Sequence, residues 1–113
     1  MSLASQALLV LSNAPNEEFA EQLARSLVEL RLAACVNILP SMRSIYRWDG
    51  SVQYSNEVAM QIKTTVAHYA ELEAAIKTAH SYAVPEIIAI PIVDGLPAYL
   101  DWIKQETSKE RNA

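Results

Sequence analysis

The apolar positions of the chain fall into two rhythms, and the places where the rhythm changes mark its elements. Ala7-Leu8-Leu9-Val10-Leu11 is a short unbroken apolar run, the pattern of a central strand buried on both faces. Ser12-Asn13-Ala14-Pro15-Asn16 interrupts it. Glu17 and Glu18 then suit the positive end of a helix dipole. Phe19, Ala20, Leu23, Ala24, Leu27 and Val28 form one wide apolar stripe, which predicts a helix running to about Arg31. From Cys35 to Trp48 the residues favour strand. Val36, Ile38, Met42, Tyr46 and Trp48 share one parity, and Pro40 inside the run must mark a bulge or an edge. Asp49-Gly50 is a hairpin turn signal. On the return strand Val52, Tyr54, Val58, Met60 and Ile62 face one way, and Gln53, Ser55, Glu57, Gln61 and Lys63 the other.

Leu72, Ala75, Ile76 and Ala79 line one side of a second helix, from about Ala67 to Ala79. After the connection His80-Ser81-Tyr82-Ala83-Val84-Pro85, Glu86 to Val93 reads as a fourth strand. Its Pro91 has no N–H to give a ladder, so this strand belongs at a sheet edge. Pro97 suits the first turn of a third helix carrying Leu96, Tyr99, Leu100 and Ile103.

The order strand, helix, strand, strand, helix, strand is the split βαβ pattern of an α+β, ferredoxin-like sandwich: one antiparallel sheet with helices on one face. An extended hairpin and an extra C-terminal helix are added to it. Residues 1–113 form a single domain, with 1–6 and 107–113 expected to be flexible. The strand from Cys35 to Trp48 would reach ~45 Å if fully extended, whereas a compact chain of this length is roughly 35 Å across. The hairpin therefore overshoots the domain, carrying Ile45, Tyr46, Trp48, Val52 and Tyr54 with it. A lone ribbon with that much apolar surface is unstable in water. A neighbouring subunit that covers it is the simplest remedy, and a hairpin bent back on its own core is the alternative.

Charge narrows the partners. Nine Lys plus Arg stand against thirteen Asp plus Glu, a net charge of −4, which argues against nucleic acid. No apolar stretch approaches the ~20 residues of a membrane span, so no membrane partner is expected. The single cysteine, Cys35, permits no intrachain disulfide, and the uncharged start does not resemble a secretory signal. A cytoplasmic location is expected.

Several chemistries lack their parts. With only Gly50 and Gly95 there is no phosphate-cradling loop, and no serine sits in a glycine-flanked elbow. Two histidines and one cysteine make no metal cluster at a recognised spacing. His80, just after a helix, reads either as a cap on the last carbonyls or as a ligand contact. Cys35 reads as a small core residue, and Trp48 and Tyr46 as interface or core. Glu57 and Lys63 share a strand face but lie ~20 Å apart along it, so each must meet something else. Glu86, following Pro85 at a strand start, could point into a cleft.

Taken in order, these landmarks resemble one family. Ala33-Ala34-Cys35-Val36-Asn37-Ile38 with Pro40, then Ser44-Ile45-Tyr46-Arg47-Trp48-Asp49-Gly50, are similar to the second strand and hairpin tip of the CutA family. Glu57, Lys63-Thr64-Thr65, His80-Ser81-Tyr82 with Pro85-Glu86, and Tyr99-Leu100-Asp101-Trp102 follow in the family's order and spacing. The resemblance runs from about Leu8 to Trp102; the ordered set is specific where no single landmark is. It implies a ferredoxin-like subunit, a homotrimer, a link to divalent-cation tolerance with copper foremost, and similarity to PII-type signalling trimers, which hold small effectors between subunits. The ligand cleft it implies uses Trp48, Glu57, Lys63, His80, Tyr82 and Glu86. Copper-binding relatives carry a Cys at the end of the first strand and a His-His pair before the Tyr-x-x-Pro-Glu stretch. This chain has Ser12, Ala79 and His80 there. Only His80 is a metal-competent match, so no cofactor is implied beyond weakly held Cu²⁺. The reading is a trimeric binding or signalling module for a small-molecule or metal effector, more a binder than an enzyme. The alternatives are an enzyme using His80 and Glu86 as acid or base in the same cleft, or a purely structural trimer.

Overall fold

A computed structural model describes residues 3–108. After a short 3-10 turn at Leu3–Ser5, the chain runs β1 (Ala7–Ala14), α1 (Glu17–Glu29), β2 (Cys35–Trp48), β3 (Ser51–Thr65), α2 (Val66–Ala79), β4 (Ile87–Pro91) and α3 (Pro97–Thr107). The four strands form one antiparallel sheet in the order β2-β3-β1-β4, the α+β ferredoxin-like arrangement. β1 is central, and β4, with Pro91 as its last residue, lies at an edge.

Side chains alternate across this sheet, and the two faces have different fates. Leu8, Val10 and Ala14 of β1 share a face with Val58, Met60 and Ile62 of β3. α1 and α2 cover that face with Ala20, Leu23, Leu27, Leu72 and Ile76. Leu27, Leu72 and Ile76 are almost wholly withdrawn from water, and each such side chain contributes roughly 1.5–3 kcal/mol of transfer free energy. On the other face, α3 seats Ile103 against Ala7 and Ala34. The rest of that face keeps Leu39, Ile88 and Ile90 exposed.

Local chemistry sets the element ends. The Asn16 side chain accepts the Phe19 N–H at 2.8 Å, capping α1. The helix closes at Glu29 rather than Arg31, because Arg31 takes the left-handed conformation (φ 61) beyond the C-cap, where Leu32 N–H reaches back to the Leu27 carbonyl at 2.9 Å. β4 is shorter than the run Glu86 to Val93, stopping at Pro91. The two ends of the described chain are tied down further than a frayed terminus would be. The Gln6 side-chain amide donates to the Ile92 carbonyl at 2.9 Å, and Thr107 is fully buried with its hydroxyl donating to Ile103 O at 2.9 Å. Residues 1–2 and 109–113 lie outside the described residues.

The hairpin departs from the sequence reading in one respect. Pro40 does mark a bulge, and Ser41 there has φ 65. Leu39 pairs with Ala59 but Met42 pairs with Glu57, so β2 spends one extra residue. That residue reverses the parity. Val36 and Ile38 stand opposite Ile62 and Met60 on the helix-covered face, whereas Tyr46 and Trp48 stand opposite Gln53 and Ser51 on the other. Shared parity in sequence is therefore not a shared face. Asp49 (φ 55) and Gly50 (φ 82) make the turn with two positive φ values, as the Asp-Gly signal predicts. The ribbon gives the molecule a long axis of 48 Å against 26 and 22 Å. Ile45, Val52 and Tyr54 at its tip are all about two-thirds or more exposed, so the hairpin does not fold back on its own core.

Candidate functional site

The bulge turns Tyr46 and Trp48 toward the side on which Glu57 also lies, since Met42, Tyr46 and Trp48 now stand opposite odd-numbered residues of β3, namely Glu57, Gln53 and Ser51. Where this ribbon leaves the domain it meets the end of β1 and the loop 80–86. Together they enclose an open cleft of ≈ 850 Å³, lined by Asn13, Tyr46, Trp48, Glu57, Tyr82 and Glu86 with their neighbours.

Its floor is a hydrogen-bonded chain. Glu57 is buried, at 7 % exposure. Its Oε2 accepts the Tyr82 hydroxyl at 2.8 Å, and its Oε1 lies 3.5 Å from the Asn13 side-chain nitrogen. The same Asn13 amide donates to Glu86 Oε1 at 3.0 Å, so one amide group bridges two carboxylates. The Tyr82 phenol is pushed up to about 12, first by burial, then by its hydrogen bond to Glu57, the charge of that carboxylate, and Tyr46. It therefore remains a proton donor to Glu57 throughout the physiological range.

His80 lies behind this floor and does not line the cleft. It is buried, with its ring tilted against Phe19 (centroids 5.1 Å) and Tyr82 (4.5 Å). A backbone N–H can only donate, so the Tyr82 N–H at 3.2 Å finds the lone pair of His80 Nδ1. The carbonyl of Asn13, 2.6 Å from Nε2, can only accept, so Nε2 carries the proton. This neutral ring bolts the loop bearing Tyr82 to the strand end bearing Asn13. Taking a metal ion or acting as an acid or base would break one of these bonds. The backbone N–H of His80 also bonds to the Ile76 carbonyl at 2.9 Å, ending α2.

The copper ligands of the resemblance are not assembled here. Ser12 is 1 % exposed on the helix-covered face, and its buried Oγ has no hydrogen-bond partner among the described residues. Among the described residues, no three His, Cys, Asp or Glu side chains converge as a metal site. The set Ser12, Ala79 and His80 does not fit Cu²⁺.

Of the residues singled out by sequence, the structure brings Trp48, Glu57, Tyr82 and Glu86 to one cleft and sets His80 behind it. Lys63 stands apart, near the far end of β3 opposite Cys35 and Leu9, with its ammonium bonded to Asn37 Oδ1. Asn13 is the residue that sequence reasoning missed. It sits in a cluster that reads as a loop, yet β1 runs through it to Ala14. Its alternation with Leu9 and Leu11, away from Val10, was the available signal.

The chain matches the family described as CutA1 divalent ion tolerance protein over residues 8–106. It is 48% identical over 99 residues to the divalent-cation tolerance protein CutA of Thermus thermophilus, covering 88% of this chain and 96% of that one. It is 43% identical over 99 residues to Protein CutA of Mus musculus, covering 88% of this chain but only 56% of the mouse protein, so it spans about half of that relative. The crystal structure of CutA1 from Oryza sativa superposes with a TM-score of 0.90 at 39% identity, covering 96% of this chain and 100% of that one.

Proposed function

The chain belongs to the CutA1 divalent ion tolerance family, and from that premise we propose that it works as a homotrimeric binding module in the response to divalent metal ions. The observation that carries the reading is the hairpin. Its tip extends one wall of an 850 Å³ cleft beyond the subunit's own core and leaves Ile45, Val52 and Tyr54 in water. Further copies of the chain packed around that ribbon would bury these apolar residues on one side and wall the cleft on the other. The module then acts by holding an effector between subunits, in the manner of PII-type trimers. Its link to metal response, copper included, runs through that effector or a partner protein rather than through a copper centre built from Ser12, Ala79 and His80. An unpaired Cys35 is at home in a reducing cytoplasm.

The engagement of both His80 nitrogens weighs against the enzyme reading, which needs that ring as acid or base. Screening metal salts and a metabolite library for ligand-induced stabilisation tests the proposal. A hit whose effect is lost in Glu86→Gln supports it. Turnover of a hit would move the protein to the enzyme reading, and silence across the panel would leave a purely structural trimer.

A further inference from the structure

Two carboxylates face the cleft, and among the described residues no Lys, Arg or His forms an ion pair with either. Glu57 is the telling one. It is more than nine-tenths buried, yet its partners are two neutral donors, the Tyr82 hydroxyl at 2.8 Å and the Asn13 amide at 3.5 Å. A carboxylate withdrawn from water is costly unless a positive charge or a full set of donors compensates it. Asn13 brings Glu86 to the same place, 3.0 Å from its amide nitrogen. Tyr46, Trp48 and Tyr82 wall the cleft, and the faces of such rings carry negative potential that attracts cations.

A metal ion is a poor match for this lining. Calcium takes six to eight oxygens, and softer metals take imidazole or thiolate. The cleft offers two carboxylates, one of them with both oxygens already engaged, and neither a histidine nor the cysteine lines it. An organic cation satisfies every feature at once. Its N–H groups meet the carboxylates, its hydrocarbon lies on the rings, and ≈ 850 Å³ is within the span of small-molecule sites. Arg47, which also borders the cleft, would repel the charged end and direct it toward the Glu57 floor.

We propose that the cleft between Glu57, Glu86 and the aromatic wall of Tyr46, Trp48 and Tyr82 binds a small organic ammonium ion. The proposal rests on the reading of this cleft as a ligand site and names its ligand class. The probes are benzylamine, cationic at neutral pH, its neutral analogue benzyl alcohol, and its anionic analogue benzoate. Each is titrated into the assembled protein carrying Trp102→Phe, so that Trp48 is the sole tryptophan and its fluorescence reports on the cleft. Benzylamine binds at least about tenfold more tightly than benzyl alcohol, and benzoate binds more weakly than either. Glu57→Gln and Glu86→Gln each weaken benzylamine by about tenfold and leave benzyl alcohol unchanged. Glu86 is exposed, so its variant reports on binding even if the buried substitution disturbs the fold. Benzyl alcohol or benzoate binding as well as benzylamine would overturn the ammonium class while leaving the cleft a ligand site. No response to any probe would overturn both. Benzylamine binding only after Lys63→Gln would show that a second copy's lysine already fills the position, and would overturn the free-ligand proposal.

Discussion

The Tyr82 hydroxyl donates to Glu57 Oε2 across 2.8 Å, and this bond joins the loop 80–86 to the buried end of the cleft. Burial first, and then this bond, raise the phenol from 10.0 to about 12. A raised phenol pKa means that the native state keeps a proton the unfolded chain has lost. The stabilisation is thus complete below pH 10.0 and disappears as pH climbs towards about 12. Tyr82→Phe removes the bond and leaves Glu57 less satisfied, which should cost about 1–3 kcal/mol near neutral pH. Urea unfolding across a pH series checks both parts: the variant is less stable at neutrality, and the gap to the parent narrows through the alkaline window.

Ser12 presents the opposite case, a buried hydroxyl with no hydrogen-bond partner among the described residues. An unmet buried polar group costs free energy that an apolar replacement recovers, less a small cavity term. Ser12→Ala should therefore raise stability by about 1 kcal/mol. Denaturant midpoints at equal slope measure it, and a loss of stability would show that the hydroxyl has a partner in solution.

Copper should bind weakly. Cu²⁺ is held well where several imidazole or thiolate groups converge, and the one imidazole at the family's copper positions has both nitrogens bonded within the fold. Calorimetric titration should detect no submicromolar site. One tightly held ion per subunit, abolished by His80→Ala, would contradict this.

Trp48 is 54% exposed at the hairpin tip, where the subunit's own core does not reach. Its truncation to Ala should therefore weaken assembly far more than the subunit fold, by about 2–4 kcal/mol if a neighbour buries it. Concentration-dependent unfolding of Trp48→Ala against the parent separates the two effects.

The architecture was legible because each element carried its own local signal. The unbroken run Ala7 to Leu11 marked the central strand, though Leu9 and Leu11 on its second face stay half-buried, and the stripe from Phe19 to Val28, Asp49-Gly50 and the prolines at 40, 91 and 97 marked the first helix, the hairpin turn, the bulge, the edge strand and the last helix. The facing of the hairpin was not legible. A proline announces a bulge, but only pairing shows whether the bulge adds a residue, and that single residue decides which side Tyr46 and Trp48 take. The lining of the candidate cleft was legible by residue type more than by geometry. Sequence placed Glu57 and Glu86 on candidate positions, but their meeting through Asn13 depends on β1 lying beside β3 and β4, a relation across 44 and 73 residues of chain. For the same reason sequence left His80 open between a helix cap and a ligand contact, since the two bonding partners of its ring lie on another strand and in the following loop.

The central claim is that this subunit is completed by copies of itself. Multi-angle light scattering at micromolar concentration tests it most directly. A single species of about three times the 12.5 kDa chain mass is expected. A monodisperse species at 12.5 kDa, unchanged as concentration rises, would contradict it.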